Sequence, residues 1–134
     1  MSDSQRLQLL QQAKTIAVVG LSPKTDRASH KVALYMQQQG YKIIPVHPKA
    51  TEVLGETCYP NILAVPPPVD IVNLFIRSEN VEPIVHDAIA LRPKAIWMQL
   101  GIENQTAAEE AHAAGIQVVM NLCIKVEHAR LLGA

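Results

Sequence analysis

A run of small and β-branched residues, Thr15-Ile16-Ala17-Val18-Val19, stops at Gly20, opens into a polar loop, and gives way to a helical pattern near Ser29. This reads as a buried strand, a tight turn and a helix N-terminus. In parallel α/β folds, that junction is where an anionic group, usually a nucleotide phosphate, is held. The loop carries Ser22, Lys24, Thr25 and Arg27, side chains suited to such a ligand.

The rest of the chain repeats the strand-then-helix alternation. Before the first strand, residues 4–12 place Leu7, Leu9 and Leu10 among polar residues, a short amphipathic helix. After the loop, Val32, Ala33, Tyr35 and Met36 recur at helical spacing, and Gly40 closes that helix. A second strand at 41–46 follows at once. It contains Pro45, which cannot donate to a ladder and is expected near the strand's end. Residues 50–68 are irregular, with one short helical turn near 61–64. The third strand, 69–76, is almost continuously apolar, as in a strand covered on both faces. Its helix starts at Ser78 as N-cap, with Glu79 and Glu82 in the first turn, and runs to about residue 91. A fourth strand (95–100), a helix (about 103–114, stopped by Gly115), a fifth strand (116–120) and a last helix (about 124–132) complete the pattern.

Five such alternations predict one domain over residues 1–134, of class α/β. The expectation is a Rossmann-like three-layer α/β/α arrangement around a five-stranded parallel sheet in the order 3-2-1-4-5. The crevice is then expected at the C-terminal ends of the first and fourth strands. Residues just past each strand face it: Gly20 to Arg27, His47 to Lys49, Arg77 and Ser78, Gln99 to Ile102, and Asn121 to Ile124.

Composition removes several functions. No apolar run approaches the roughly 18 residues of a membrane span. The N-terminus is polar and has no apolar signal core, so a cytoplasmic location is expected. Cys58 and Cys123 lie far apart without CxxC spacing, which argues against a disulfide framework and a zinc site. The histidines at 30, 47, 86, 112 and 128 show no metal-ligand spacing. His112 and His128 read as helix-surface residues, and His30 as a neighbour of the loop. Formal net charge is zero, yet residues 1–50 hold seven Lys/Arg against Asp3 and Asp26, while residues 51–134 hold five against ten acids. Lys24, Arg27 and Lys49 are candidates to collect around an anion. With no basic run and 4% aromatic residues, a nucleic-acid surface is not expected. Apolar residues on the first and last helices leave open a second copy of the chain, or another protein, as partner.

Nicotinamide dinucleotides fit poorly. Their fingerprint, G-x-G-x-x-G, brings bare backbone against the pyrophosphate, with an acid about 20 residues on for the ribose. This chain reads G-L-S-P-K-T, and no carboxylate occurs between Asp26 and Glu52. His47-Pro48-Lys49 stands where the acid would be. Cys123 as a nucleophile is outweighed by its reading as a small buried hydrophobe.

The segments VVGLSPKTDRASHKVALYMQQQGYKIIPVHPK, LGETCYPNILAVPPPVDIVNLFIRSENV, AIWMQLGI and AAGIQVVMNLCIKVEHARL resemble, in order, the small stand-alone CoA-binding domain proteins. These are similar to the CoA-binding domain of the succinyl-CoA synthetase α subunit. The resemblance covers about residues 15–132 and implies coenzyme A, free or acylated, as ligand. It implies that Gly20, Leu21, Ser22, Lys24 and Arg27 hold the phosphates, and that His47, Pro48 and Lys49 lie near the adenosine end. It also implies that Phe75, Ile76 and Arg77 close over the nucleotide, with Gln99 and Gly101 beside it. After the fifth strand the family pattern often reads Asp-Arg-Cys. Here it is Asn121-Leu122-Cys123, so that tip is given little weight in binding.

CoA carries a pyrophosphate and a 3′-phosphate, and so calls for more cations than NAD does. Acyl-CoA-forming ligases pass phosphate through a histidine in a further domain, so their activity is not carried over, and a binding protein without its own catalysis is expected. The alternatives are a small NAD(P)-dependent oxidoreductase and a regulatory interaction module with a relic nucleotide site.

Overall fold

The computed structural model describes residues 1–133. Its strands are β1 (Thr15–Val19), β2 (Lys42–Val46), β3 (Glu52–Val53), β4 (Glu56–Thr57), β5 (Ile71–Leu74), β6 (Ala95–Met98) and β7 (Gln117–Val119). The α-helices are α1 (Asp3–Gln12), α2 (Ala28–Gln38), α3 (Val81–Ala88), α4 (Gln105–Ala113) and α5 (Ile124–Leu131). The segment read as irregular contains the β3–β4 hairpin, turned through Leu54 and Gly55, both at positive φ. The short turn expected near 61–64 is a 3₁₀ helix, Ile62–Ala64, whose first turn is capped by the Asn61 side chain.

The five main strands form one parallel sheet in the order β2-β1-β5-β6-β7. In main-strand numbers this is 2-1-3-4-5, which corrects the expected 3-2-1-4-5: the third strand pairs with the first, not outside the second. Pro45 gives the physical reason. Its neighbour Val46 is bridged to Tyr59, and the Tyr59 N–H donates to the Pro45 carbonyl, so residue 45 turns its backbone away from β1. A proline there loses nothing from the β1–β2 ladder, but would leave a gap against any third strand, which confines β2 to the edge. All four residues of β5 are buried, as a central strand requires.

Alternate residues of each strand face two cores. One contains Ala17, Val19, Val72, Leu74, Ile96 and Met98 under α3 and α4. The other contains Ile16, Val18, Ile71 and Trp97 under α1, α2 and α5. The distribution follows from right-handed crossovers. The chain moves one way from β1 to β2 and the other way from β5 to β7, so the connecting helices fall on opposite faces. At the bottom of the sheet the Asp70 carboxylate accepts from the N–H groups of Lys14 (2.7 Å) and Thr15 (3.1 Å), fixing β1 beside β5.

Two local expectations are corrected. Ser78 does not cap its own helix. It opens a 3₁₀ turn (Ser78–Asn80) before α3, and its hydroxyl accepts from the Glu103 N–H at 3.1 Å, tying the β5 tip to the segment before α4. His128 is buried, not surface-exposed. Its Nδ1 lies 2.9 Å from the Tyr35 hydroxyl, and both Tyr35 and Tyr41 meet its ring edge-on. Beside it, Glu127 is buried against Arg130 and Arg6, and Asp3 pairs with the same two arginines, so α1 is clamped to α5. Hydrogen bonds from Arg130 hold the Asp3 and Glu127 carboxyls below the usual carboxylate range. Leu9 and Leu10 of the amphipathic first helix are buried within the chain.

Burial lowers the affinity of His128 for a proton. The unfolded chain then binds more protons than the folded one as pH falls below about 6.5, the ordinary imidazole value, so stability falls with pH in that window. Urea unfolding is expected to show a lower midpoint at pH 5.5 than at pH 8. The difference should be smaller in His128→Gln, and an equal difference in both proteins would exclude His128 as its source.

Candidate functional site

The topological switch point lies between β1 and β5, the strands from which the chain departs in opposite directions, and not between the first and fourth strands as expected. At their C-terminal ends the two strands touch. The Phe75 N–H donates to Val19 O at 2.9 Å, and the Gly20 N–H donates to Val46 O at 2.9 Å. Gly20 has φ +85°, and a Cβ placed on it would sit 2.3 Å from the Phe75 carbonyl oxygen. Only glycine serves here, both for its dihedral angle and for the approach of the two backbones.

Beyond Gly20 the loop is braced by its own side chains. The Ser22 N–H donates to Ser29 Oγ (3.0 Å), and the Lys24 N–H to Ser22 Oγ (3.1 Å). His30 Nδ1 lies 3.0 Å from the Ser22 carbonyl. That oxygen can only accept, so Nδ1 carries the proton. The polypeptide enters α2 at Arg27, which makes no side-chain cap, so the first-turn N–H groups point out of the helix without a side-chain acceptor. Across the crevice, His47 Nδ1 accepts from the N–H groups of Lys49 (3.1 Å) and Ala50 (3.2 Å). The ring proton is therefore on Nε2, a donor on a residue that lines the cavity.

These parts enclose a cavity of about 520 Å³ lined by Gly20, Ser22, Lys24, Arg27, His47 and Phe75, together with Pro23, Ala28 and Ser29. Lys24 and Arg27 are exposed, and among the described residues neither is in an ion pair. A second cavity, of about 550 Å³, adjoins it through the shared residues Ala28 and Phe75. Its wall includes Ile76, Arg77 and Gln99. Arg77 is exposed, and among the described residues it has no ion pair with Glu79, Glu82 or any other acid.

The remaining predicted residues lie elsewhere. The Leu21 side chain is fully buried in the core under α2, so only its backbone reaches the loop. Pro48 and Lys49 are exposed on the rim of the β2 tip, outside the lining of both cavities. Gly101, at φ +85°, gives its N–H to Asn121 Oδ1 at 2.7 Å and lines neither. That bond also accounts for asparagine at position 121, which adopts φ 60°, a region asparagine tolerates better than most residues.

Leu100, Ile102 and Cys123, which the sequence places at strand tips facing the crevice without assigning them to binding, line the second cavity's wall, and so does Val32, which sequence reasoning missed. Cys123 is half-buried and stands at the N-cap of α5. The helical spacing that marks Val32 as core could have signalled its place under the crevice. Beneath the wall, Asn73 Nδ2 and the Ile124 N–H both donate to Gln99 Oε1 at 2.9 Å. Asn73 Oδ1 is buried and unpaired, a condition that costs about 1–3 kcal/mol.

Fold and site together define a doubly wound α/β domain with a cation-bearing helix N-terminus at its switch point. The model of the CoA binding domain family matches residues 14–129, and the chain belongs to that family. YneT of Bacillus subtilis is 42% identical over 122 residues, covering 91% of this chain and 90% of YneT. The ADP-forming acetate–CoA ligase I of Archaeoglobus fulgidus is 27% identical over 121 residues, which are 83% of this chain but 18% of the ligase. A solved structure of a hypothetical protein from Pyrococcus horikoshii matches with a TM-score of 0.95 at 38% identity, covering 99% of this chain and 94% of that one.

Among the described residues, no group of three or more His, Cys, Asp or Glu is placed to hold a metal ion, and no helix is long and apolar enough to cross a membrane.

Gly20→Ala forces a strained dihedral angle and a clash with backbone. It is expected to cost about 1–3 kcal/mol of stability, read as a lower denaturation midpoint. Gly40→Ala is the control: it shares the positive φ, but its Cβ meets nothing within 4 Å. Equal losses in the two variants would show that the approach to Phe75 adds nothing.

Proposed function

We propose that the protein binds coenzyme A, free or acylated, in the crevice over β1 and β5, and performs no catalysis of its own. Family membership supports the ligand class. The observation that carries the location is the adjacency of two unlike cavities. One has Lys24, Arg27 and the open N-terminus of α2, suited to a pyrophosphate. The other has Val32, Ile76, Leu100 and Ile102 in its wall, suited to the less polar pantetheine arm. CoA has this division along its length.

Arg27 can grip a phosphate with two parallel N–H bonds, whereas Lys24 acts as a point charge. Arg77, exposed in the wall of the second cavity, and Lys49, exposed at the β2 tip outside both cavities, are the further cations on this edge of the sheet. Two observations support a binding role without chemistry. Neither cavity wall contains a carboxylate. His30 and His47 each commit Nδ1 to backbone, which suits bracing and donation better than proton shuttling.

Titration calorimetry with CoA, NAD and NADP tests the ligand. Heat with CoA and none with the other two is expected, and no heat with CoA near millimolar concentration would overturn the reading. Lys24→Ala and Arg27→Ala should each weaken CoA by about tenfold, or about 1.4 kcal/mol. The loss should shrink toward 1 M salt, where screening acts within about 3 Å. Unchanged affinity in both variants would move the phosphates elsewhere.

A further inference from the structure

We propose that Cys123 is a covalent capture site for the disulfide form of coenzyme A, an inference that rests on the CoA reading above. Three observations lead there. The cavity holding Cys123 shares Ala28 and Phe75 with the cation-bearing cavity, so a ligand anchored by its phosphates in one has the other beside it for its thiol-bearing arm. Cys123 is the one thiol in that wall, and it is half-buried and not in a disulfide. Gln99, 4% exposed, stands in the same wall. Its Oε1 is held by Asn73 and Ile124, while its NH₂ group has no hydrogen-bond partner among the described residues. The residue is largely buried, yet this donor stays accessible and open in a mostly apolar wall, a place for an acceptor from outside the protein. The amide carbonyls of a pantetheine arm are such acceptors, and they lie along the chain that ends in sulfur.

The other thiol makes a useful contrast. Cys58 is buried behind the β2 tip, with Sγ 3.8 Å from the His47 carbonyl, and burial pushes its pKa up. A structural role suits Cys58 and an exchange role suits Cys123.

The step is thiol–disulfide exchange. Cys123 loses its proton to solvent and its thiolate attacks one sulfur of the CoA disulfide. The Cys123–CoA S–S bond forms as the original S–S bond breaks. One CoA departs as thiolate and takes up a proton. Nothing is oxidised overall, and a second thiol reverses the step. A protein of this kind holds CoA reversibly when CoA disulfide accumulates and releases it when thiols return.

Incubation with CoA disulfide, followed by intact-mass and peptide mass spectrometry, is the test. One CoA per chain is expected, mapped to Cys123 and absent from Cys123→Ser. The rate should saturate with CoA disulfide and exceed that for glutathione disulfide by about tenfold or more, as expected when binding positions the reacting sulfurs. It should fall in Lys24→Ala. An adduct at Cys58, or equal rates with the two disulfides, overturns the capture site. Calorimetry with CoA on the same preparation separates the two readings. Heat without preferential exchange overturns the capture site alone, and absence of heat overturns the CoA reading beneath it.

Discussion

The approach of two backbones at the switch point is the constraint on which the site depends. Gly20 turns directly over the Phe75 carbonyl, leaving no room for a side chain between β1 and β5. That contact sets where the loop leaves the sheet, and so where α2 begins. Ser22 and Ser29 then fix the loop by mutual bonds, and His30 closes it from the helix side. A dinucleotide fingerprint uses three glycines to bring backbone to phosphate. Here one glycine packs strand against strand, and polar side chains shape the remainder.

Strand and helix segments were legible because their signals are local. Apolar runs ended by glycine gave β1 and β6 close to their observed limits, and periodicity gave α2 and α4. Strand order was less legible because it depends on pairing between distant segments. Pro45 nevertheless carried the necessary information. It was read as marking a strand's end, whereas its missing donor marks a sheet's edge, and an edge position for β2 forces β5 to the other side of β1.

Within the crevice, residues adjacent in sequence to Gly20 were the easiest to find, and those brought in from the far end of the chain the hardest. Leu21 shows the limit of assignment by proximity: neighbours along a loop point in opposite directions, and this one points into the core. Cys123 shows the converse. Its triplet departs from the usual Asp-Arg-Cys, which drew attention to the missing charges and away from the thiol that remained. His128 reads from the sequence as a helix-surface residue. Its burial comes from Tyr35 and Tyr41, far off in sequence, closing over it.

Pro45 has a further consequence at the border of the sheet. An open edge strand presents a row of unpaired donors and acceptors that can template another chain. On β2, residue 45 has no outward donor to offer, and its outward carbonyl is already taken by the Tyr59 N–H. The residue that fixes the topology therefore also defends this edge of the sheet against intermolecular strand pairing. The opposite edge strand, β7, has no proline and limits the same hazard by its length of three residues.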